Sequence, residues 1–154
     1  MTISSFTDDN RFLSNFWTEP KRANRSVEHF YQAAKTDVPP EAAEILSANT
    51  TAGQAKRLGQ KVTVRSDWET IKDDVMYQNV RSKFFLDEEL GNKLLATGNE
   101  ELIEGNTWGD RYWGAEWDED TEEWVGQNKL GKILMKVRAE VSAARMNGGD
   151  ANHV

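Results

Sequence analysis

The sequence predicts a helix-rich α+β domain with a small β-sheet. Three observations carry this expectation. Apolar residues recur at three- and four-residue spacing along most of the chain, the signature of helices with one buried face. Strand-like alternation is confined to short stretches. A length of 154 residues suits a single domain with its own core. Residues 1–143 read as that domain, and 144–154, polar and Gly-containing, as a flexible C-terminal tail.

The elements follow in order. Arg11 to Phe16 reads as a short strand. Ser26 is an N-cap, and Val27, Phe30, Tyr31 and Ala34 after it mark a helix that Pro39-Pro40 stops. Glu41–Ala48 and Thr51–Leu58 read as two short helices, the second closed by Gly59. Lys61-Val-Thr-Val-Arg65 alternates as a strand would. Asp67 caps a longer helix with Trp68, Ile71, Val75, Val80 and Phe84 on one stripe. Another helix spans Glu88 to about Thr97, ending at Gly98, and Leu102-Ile103 is a brief strand. Residues 104–127 read as irregular, and a last helix from Asn128 presents Leu130, Leu134, Val137 and Val141.

Composition narrows the chemistry. Zero cysteines exclude a disulfide scaffold, a thiolate metal site and a cysteine nucleophile. Only two histidines, His29 and His153, put a His-rich metal centre out of reach. Any reaction must therefore use carboxylates, lysines, hydroxyls, amides and aromatic faces. The net charge of −7 comes mostly from residues 116–123, six carboxylates without a base, which read as a solvated loop. With no basic stripe, binding to a phosphate backbone is not the main task. The absence of a long apolar run or of a signal-peptide pattern gives a cytoplasmic expectation. Gly126 to Lys132 fits the first seven positions of a phosphate-cradling loop, but Ile133 stands where a hydroxyl must hold Mg²⁺. Gly131 then reads as a glycine that lets the last helix pack closely.

Two stretches remain that can carry chemistry. Glu28 and Lys35 are seven residues apart on the Ser26 helix, about 700° of rotation, so they share a face with Gln32 between them. A solvated polar face satisfies that spacing. So does a site wall holding an acid/base and an amine nucleophile. The second stretch is Asn106-Thr-Trp108-Gly-Asp110-Arg111-Tyr112-Trp113-Gly114, where Asp110 lies between two tryptophans. Core packing explains such tryptophans, and so does a cleft that takes a ring and a sugar. Leu13-Ser14-Asn15-Phe16-Trp17 repeats the mixture of amide and aromatic groups.

Taken together, Leu13-Ser14-Asn15-Phe16, Glu28-His29-Phe30-Tyr31-Gln32-Ala33-Ala34-Lys35, Asn106-Thr107-Trp108-Gly109-Asp110 and Trp113-Gly114 resemble the NADAR (YbiA-like) family of N-glycosidases. The resemblance runs from about Phe6 to Ala143 and leaves out the acidic run 116–123. It implies a YbiA-like fold and hydrolysis of a bond between ribose C1 and nitrogen, with no metal and no organic cofactor. The implied substrate is a small sugar nucleotide, a ribosylaminopyrimidine phosphate of riboflavin synthesis. The alternatives are removal of ADP-ribose from guanine in nucleic acid, and a non-catalytic module that binds ADP-ribose or a nucleotide. The acidic balance favours the small substrate.

On this reading Glu28 is the acid/base and Lys35 the nucleophile. Asp110 orients ribose hydroxyls or water as the third catalytic residue. Asn15, Gln32 and Asn106 supply hydrogen bonds to substrate, while Phe16, Tyr31, Trp108 and Trp113 stack on the base. Arg11 and Lys56 contact phosphate.

Overall fold

In the computed structural model, which describes residues 1–151 (149–151 by backbone alone), the chain divides into two units. One comprises Met1–Leu13 and the chain from Asp87 onward; the other is Ser14–Leu86. The helix-rich α+β class expected from the sequence is the class observed.

Four helices build Ser14–Leu86: α1 (Val27–Ala33), α2 (Pro39–Ile45), α3 (Ala52–Gly59) and α4 (Trp68–Leu86). Their starts are local chemistry. Ser26 Oγ accepts the His29 N–H while His29 Nδ1 accepts the Ser26 N–H at 3.0 Å, so two backbone donors that the helix leaves unpaired are satisfied. With Nδ1 accepting, the ring proton lies on Nε2, which donates to the Thr50 carbonyl at 2.7 Å and ties α1 to the start of α3. Thr51 and Gln54 form the same reciprocal cap on α3. Pro39 and Pro40 do not stop α1, which already ends at Ala33. They occupy the first turn of α2, where a missing N–H costs nothing. Ala33, Ile45 and Ala55 meet beneath α1, α2 and α3, with Leu46, Leu58 and Val62 packed against them. Asp67 precedes α4 as expected, but its carboxylate pairs with Arg65 and its carbonyl accepts the N–H groups of Thr70 and Ile71.

The strand expected at 61–65 does not form; the described contact is one bridge, Thr36 with Val64. The Glu41 carboxylate takes both the N–H and the hydroxyl of Thr63, and the Lys35 carbonyl takes the Arg65 N–H. The Arg65–Lys35 bond belongs to that single bridge, and the Thr63 N–H that would continue the ladder goes to a side chain instead. The strand expected over Arg11–Phe16 is replaced by a 3₁₀ helix, Asp8–Leu13. Phe12 and Leu13 are adjacent and both buried, which a strand with one solvated face does not permit.

The other unit holds the two small sheets. β1 (Thr2–Ile3) pairs in parallel with β2 (Glu101–Leu102), close to the expected Leu102-Ile103. β3 (Glu116–Asp118) and β4 (Glu123–Val125) form an antiparallel hairpin, so the acidic run is not the simple loop its charge predicts. Trp117 and Trp124 explain the difference: they face each other in register, edge to face with ring centroids 5.3 Å apart. α5 (Glu88–Ala96) is followed, as the sequence predicts, by Gly98 in the left-handed region, and Asp87 caps its start. α6 begins at Lys129, and Gly131 lies so close to the Leu102 carbonyl that a Cβ there would overlap it. Close packing therefore accounts for that glycine.

α6 continues to Ala151, so the expected tail is helical over 144–151, and residues 152–154 lie outside the described chain. The Arg145 guanidinium anchors this extension by reaching the Glu88 carbonyl and the Asn92 side chain. Among the described residues no helix is long and apolar enough to cross a membrane.

Candidate active site

The seven-residue helix α1 puts its polar stripe indoors. Glu28, Gln32 and the adjoining Tyr31 are all buried, and Lys35, just past the helix end, is partly buried. A solvated face is therefore not what the spacing encodes. Glu28 is only 7% exposed. Its backbone N–H, one of the donors that a helix start leaves open, goes to the Asn15 carbonyl at 3.0 Å. That turn is fixed from below: buried Lys83 donates to the Ser14 carbonyl at 2.9 Å, and the Asn15 amide contacts Met76 Sδ.

The ionisable groups are pushed in opposite directions. Burial raises the Glu28 carboxyl above its ordinary 4.5; the Gln32 hydrogen bond and the charges of Lys56 and Lys35 oppose this with smaller effect. Burial likewise lowers the Lys35 amine below its ordinary 10.5, against the pull of Glu28 and with help from Lys72. Burial thus shifts both groups toward their neutral forms, the carboxyl holding its proton more tightly and the amine less tightly than in water. Lys35 Nζ lies 5.7 Å from the Tyr31 ring centre, and Tyr31 stands edge-on to Trp68 at 5.1 Å.

Of the residues expected from the sequence, Glu28, Gln32, Lys35, Tyr31 and Lys56 form one electrostatic group, with Asn15 joined to it through its carbonyl. Phe16, on the same turn as Asn15, is 44% exposed. Lys72 and Glu69 of α4 also act on Lys35, and sequence reasoning missed both. Nothing in their spacing links α4 to α1. Gly59 was legible only as a helix end, yet a Cβ there would strike the Gln32 side chain.

The remaining expected residues belong to the other unit. Arg11 is exposed on the 3₁₀ helix. Asn106 and Asp110 build their own loop. Asn106 Nδ2 donates to the Asp110 carbonyl at 2.8 Å, and Asn106 Oδ1 accepts the N–H groups of Trp108 and Asp110. Asp110 Oδ1 accepts those of Tyr112 and Trp113 at 3.1 and 3.0 Å. Trp108 projects outward, 68% exposed, while Trp113 is partly buried against Tyr112. The Asp110 turn needs one acceptor oxygen, which an amide also supplies. Asp110→Asn is thus expected to keep its melting temperature. A hundredfold loss of kcat with an intact fold would assign Asp110 to the reacting groups.

Comparison with known proteins extends these findings. The NADAR domain family model matches residues 4–142. The chain is 39% identical over 141 residues to a riboflavin biosynthesis protein of Vibrio vulnificus, covering 87% of this chain but only 36% of that protein. It is 38% identical over 120 residues to an N-glycosidase of Nostoc punctiforme, covering 75% and 73% of the two chains. Against the N-glycosidase YbiA of Escherichia coli K12, identity is 32% over 144 residues, covering 90% and 86%. The solution structure of Escherichia coli YbiA superposes with a TM-score of 0.76 at 29% identity, over 95% of this chain and 89% of that one.

Proposed function

The chain belongs to the NADAR domain family, and from that premise we propose that it is an N-glycosidase acting on a phosphorylated ribosylamine, with Glu28 and Lys35 as the reacting pair. The observation that carries this reading is the burial of a carboxyl and an amine on one helix, each shifted toward its neutral form. A binding site for a sugar phosphate gains nothing from a neutral lysine. A nucleophile requires one.

Breaking a glycosidic C–N bond leaves positive charge on the sugar and an electron pair on the departing nitrogen. Neutral Lys35 attacks C1 with its lone pair, and the C1–N bond breaks as the Glu28 carboxyl gives its proton to the leaving nitrogen. The Lys35 nitrogen then loses a proton as the ring oxygen leaves C1 and gains one, and a Schiff base to the opened sugar results. Water adds to C1 and yields a proton to the Glu28 carboxylate, the bond from C1 to the Lys35 nitrogen breaks, the ring re-closes, and both Glu28 and free Lys35 are restored. Lys56 sets positive charge beside the pair, suited to a phosphate on the sugar, while Lys72 is paired with Glu69.

The name of the Vibrio vulnificus relative supports a ribosylaminopyrimidine phosphate as substrate. Incubation of the protein with such a compound is expected to release ribose 5-phosphate. An ADP-ribosylated guanine oligonucleotide assayed beside it is expected to stay intact. Release of ADP-ribose alone overturns the substrate assignment, and binding without release from either overturns the activity.

A further inference from the structure

Gln32 has the chemistry of a substrate ligand but not the placement. It lies one turn after Glu28 and is only 5% exposed. Its Nε2 donates to Glu28 Oε1 at 2.8 Å. Its Oε1 is fully buried and takes no hydrogen bond among the described residues. That oxygen faces the backbone of α3 at Gly59, where any Cβ would overlap Gln32 Oε1 and stand 2.5 Å from its Cδ. An amide meant for substrate would present its spare atom to open space. Here the spare acceptor is closed in by α3, so whatever Gln32 contributes passes through Glu28.

We propose that Gln32 is a positioning residue that holds the Glu28 carboxyl in both protonation states, and that Gly59 is kept free of a side chain to pin it there. The inference rests on the assignment of Glu28 as the acid/base. An ionised Glu28 needs a donor, which Nε2 provides in the arrangement observed. A protonated Glu28 carries an O–H that needs an acceptor, and half a turn about the Gln32 Cγ–Cδ bond brings Oε1 to that place. An amide is the one side-chain group of this length that offers both. The unfilled acceptor is then the half of the amide reserved for the acid form, since a buried acceptor without a partner is otherwise costly.

The test compares pH–rate profiles of wild type, Gln32→Met and Gly59→Ala on one ribosylaminopyrimidine phosphate, with melting curves as the control for folding. Gln32→Met keeps the length of the side chain, leaves the Gly59 face open and removes both polar atoms. It is expected to lower kcat by about 10- to 100-fold, with KM within about threefold. Because the lost hydrogen bond had held the carboxyl down, the acid limb of the profile is expected to move to higher pH. Gly59→Ala is expected to move kcat and the limb the same way, and should it fail to fold, Gln32→Met carries the test alone.

A raised KM with kcat and limb unchanged would make Gln32 a substrate ligand and overturn the proposal. A folded Gly59→Ala that matches wild type would overturn the pinning. Glu28→Gln separates the two levels. If that variant stays active the acid/base assignment fails, whereas an inactive Glu28→Gln beside an unaltered Gln32→Met defeats only the role of Gln32.

Discussion

Glu28→Gln is expected to lower kcat by about a thousandfold while leaving the protein folded and at least as stable as before. The size follows from what a positioned acid contributes, about 10²–10⁴ in rate. The amide is isosteric, so its carbonyl still accepts from Gln32 Nε2 and its backbone N–H still reaches the Asn15 carbonyl. What disappears is the transferable proton. The stability side has a definite sign. A carboxyl raised in the folded state binds its proton more tightly there than in the unfolded chain. Its stabilising effect is therefore full below the ordinary value of 4.5 and is lost as pH rises through the folded value. Above the folded value the ionised group is a burden on the fold, and glutamine removes that burden. Melting and steady-state kinetics on the same preparation check both halves. A variant that loses stability along with activity would show that Glu28 serves packing first; one that keeps near-normal kcat would show that the proton comes from elsewhere.

Residues that act through their own neighbours were legible in the sequence. Ser26 caps its helix because a hydroxyl reaches the N–H three residues ahead, whereas Asp67, read in the same way, spends its carboxylate on Arg65. The stripe Glu28, Gln32, Lys35 was likewise legible, because rotation per residue is fixed within and just beyond a helix. Legibility ended where a distant segment decides the outcome. The 61–65 segment alternates as a strand does, but Glu41, some twenty residues earlier, claims its backbone donors. The acidic run looks like a loop because six charges outweigh two tryptophans in any composition measure, yet the tryptophans set the register of the hairpin. Burial of the stripe on α1 is likewise decided by α3 and α4. Spacing alone left open whether Glu28 and Lys35 face water or a site. Neither Gly59 nor Lys72 announces its part, since a close approach between helices leaves no local trace in either one.

Replacing Lys35 should remove turnover as completely as replacing Glu28, and it tests a different event. If the amine attacks C1, borohydride added during turnover reduces the Schiff base to a stable amine, and mass spectrometry places the sugar-derived adduct on the peptide that carries Lys35. Neither Lys35→Ala nor Lys35→Arg should form it, and both should lose about a thousandfold or more in kcat. Arginine is the informative substitution, because it keeps the positive charge but cannot give up its proton at ordinary pH. Near-normal turnover in Lys35→Arg would mean that only the charge matters and would end the covalent mechanism. The pH dependence adds an independent constraint. The reactive pair carries one proton in total, on Glu28 with Lys35 neutral, and this form has the same proton count as the reverse arrangement. The rate is then bell-shaped, rising through the pKa of Glu28 and falling through that of Lys35, with both limbs drawn inward from the ordinary 4.5 and 10.5. Both shifts have burial as their largest cause, so a substitution that opens the face of Tyr31 to water should move the two limbs apart, one down and one up. A profile flat through the alkaline range of Lys35 would be incompatible with a neutral amine as nucleophile.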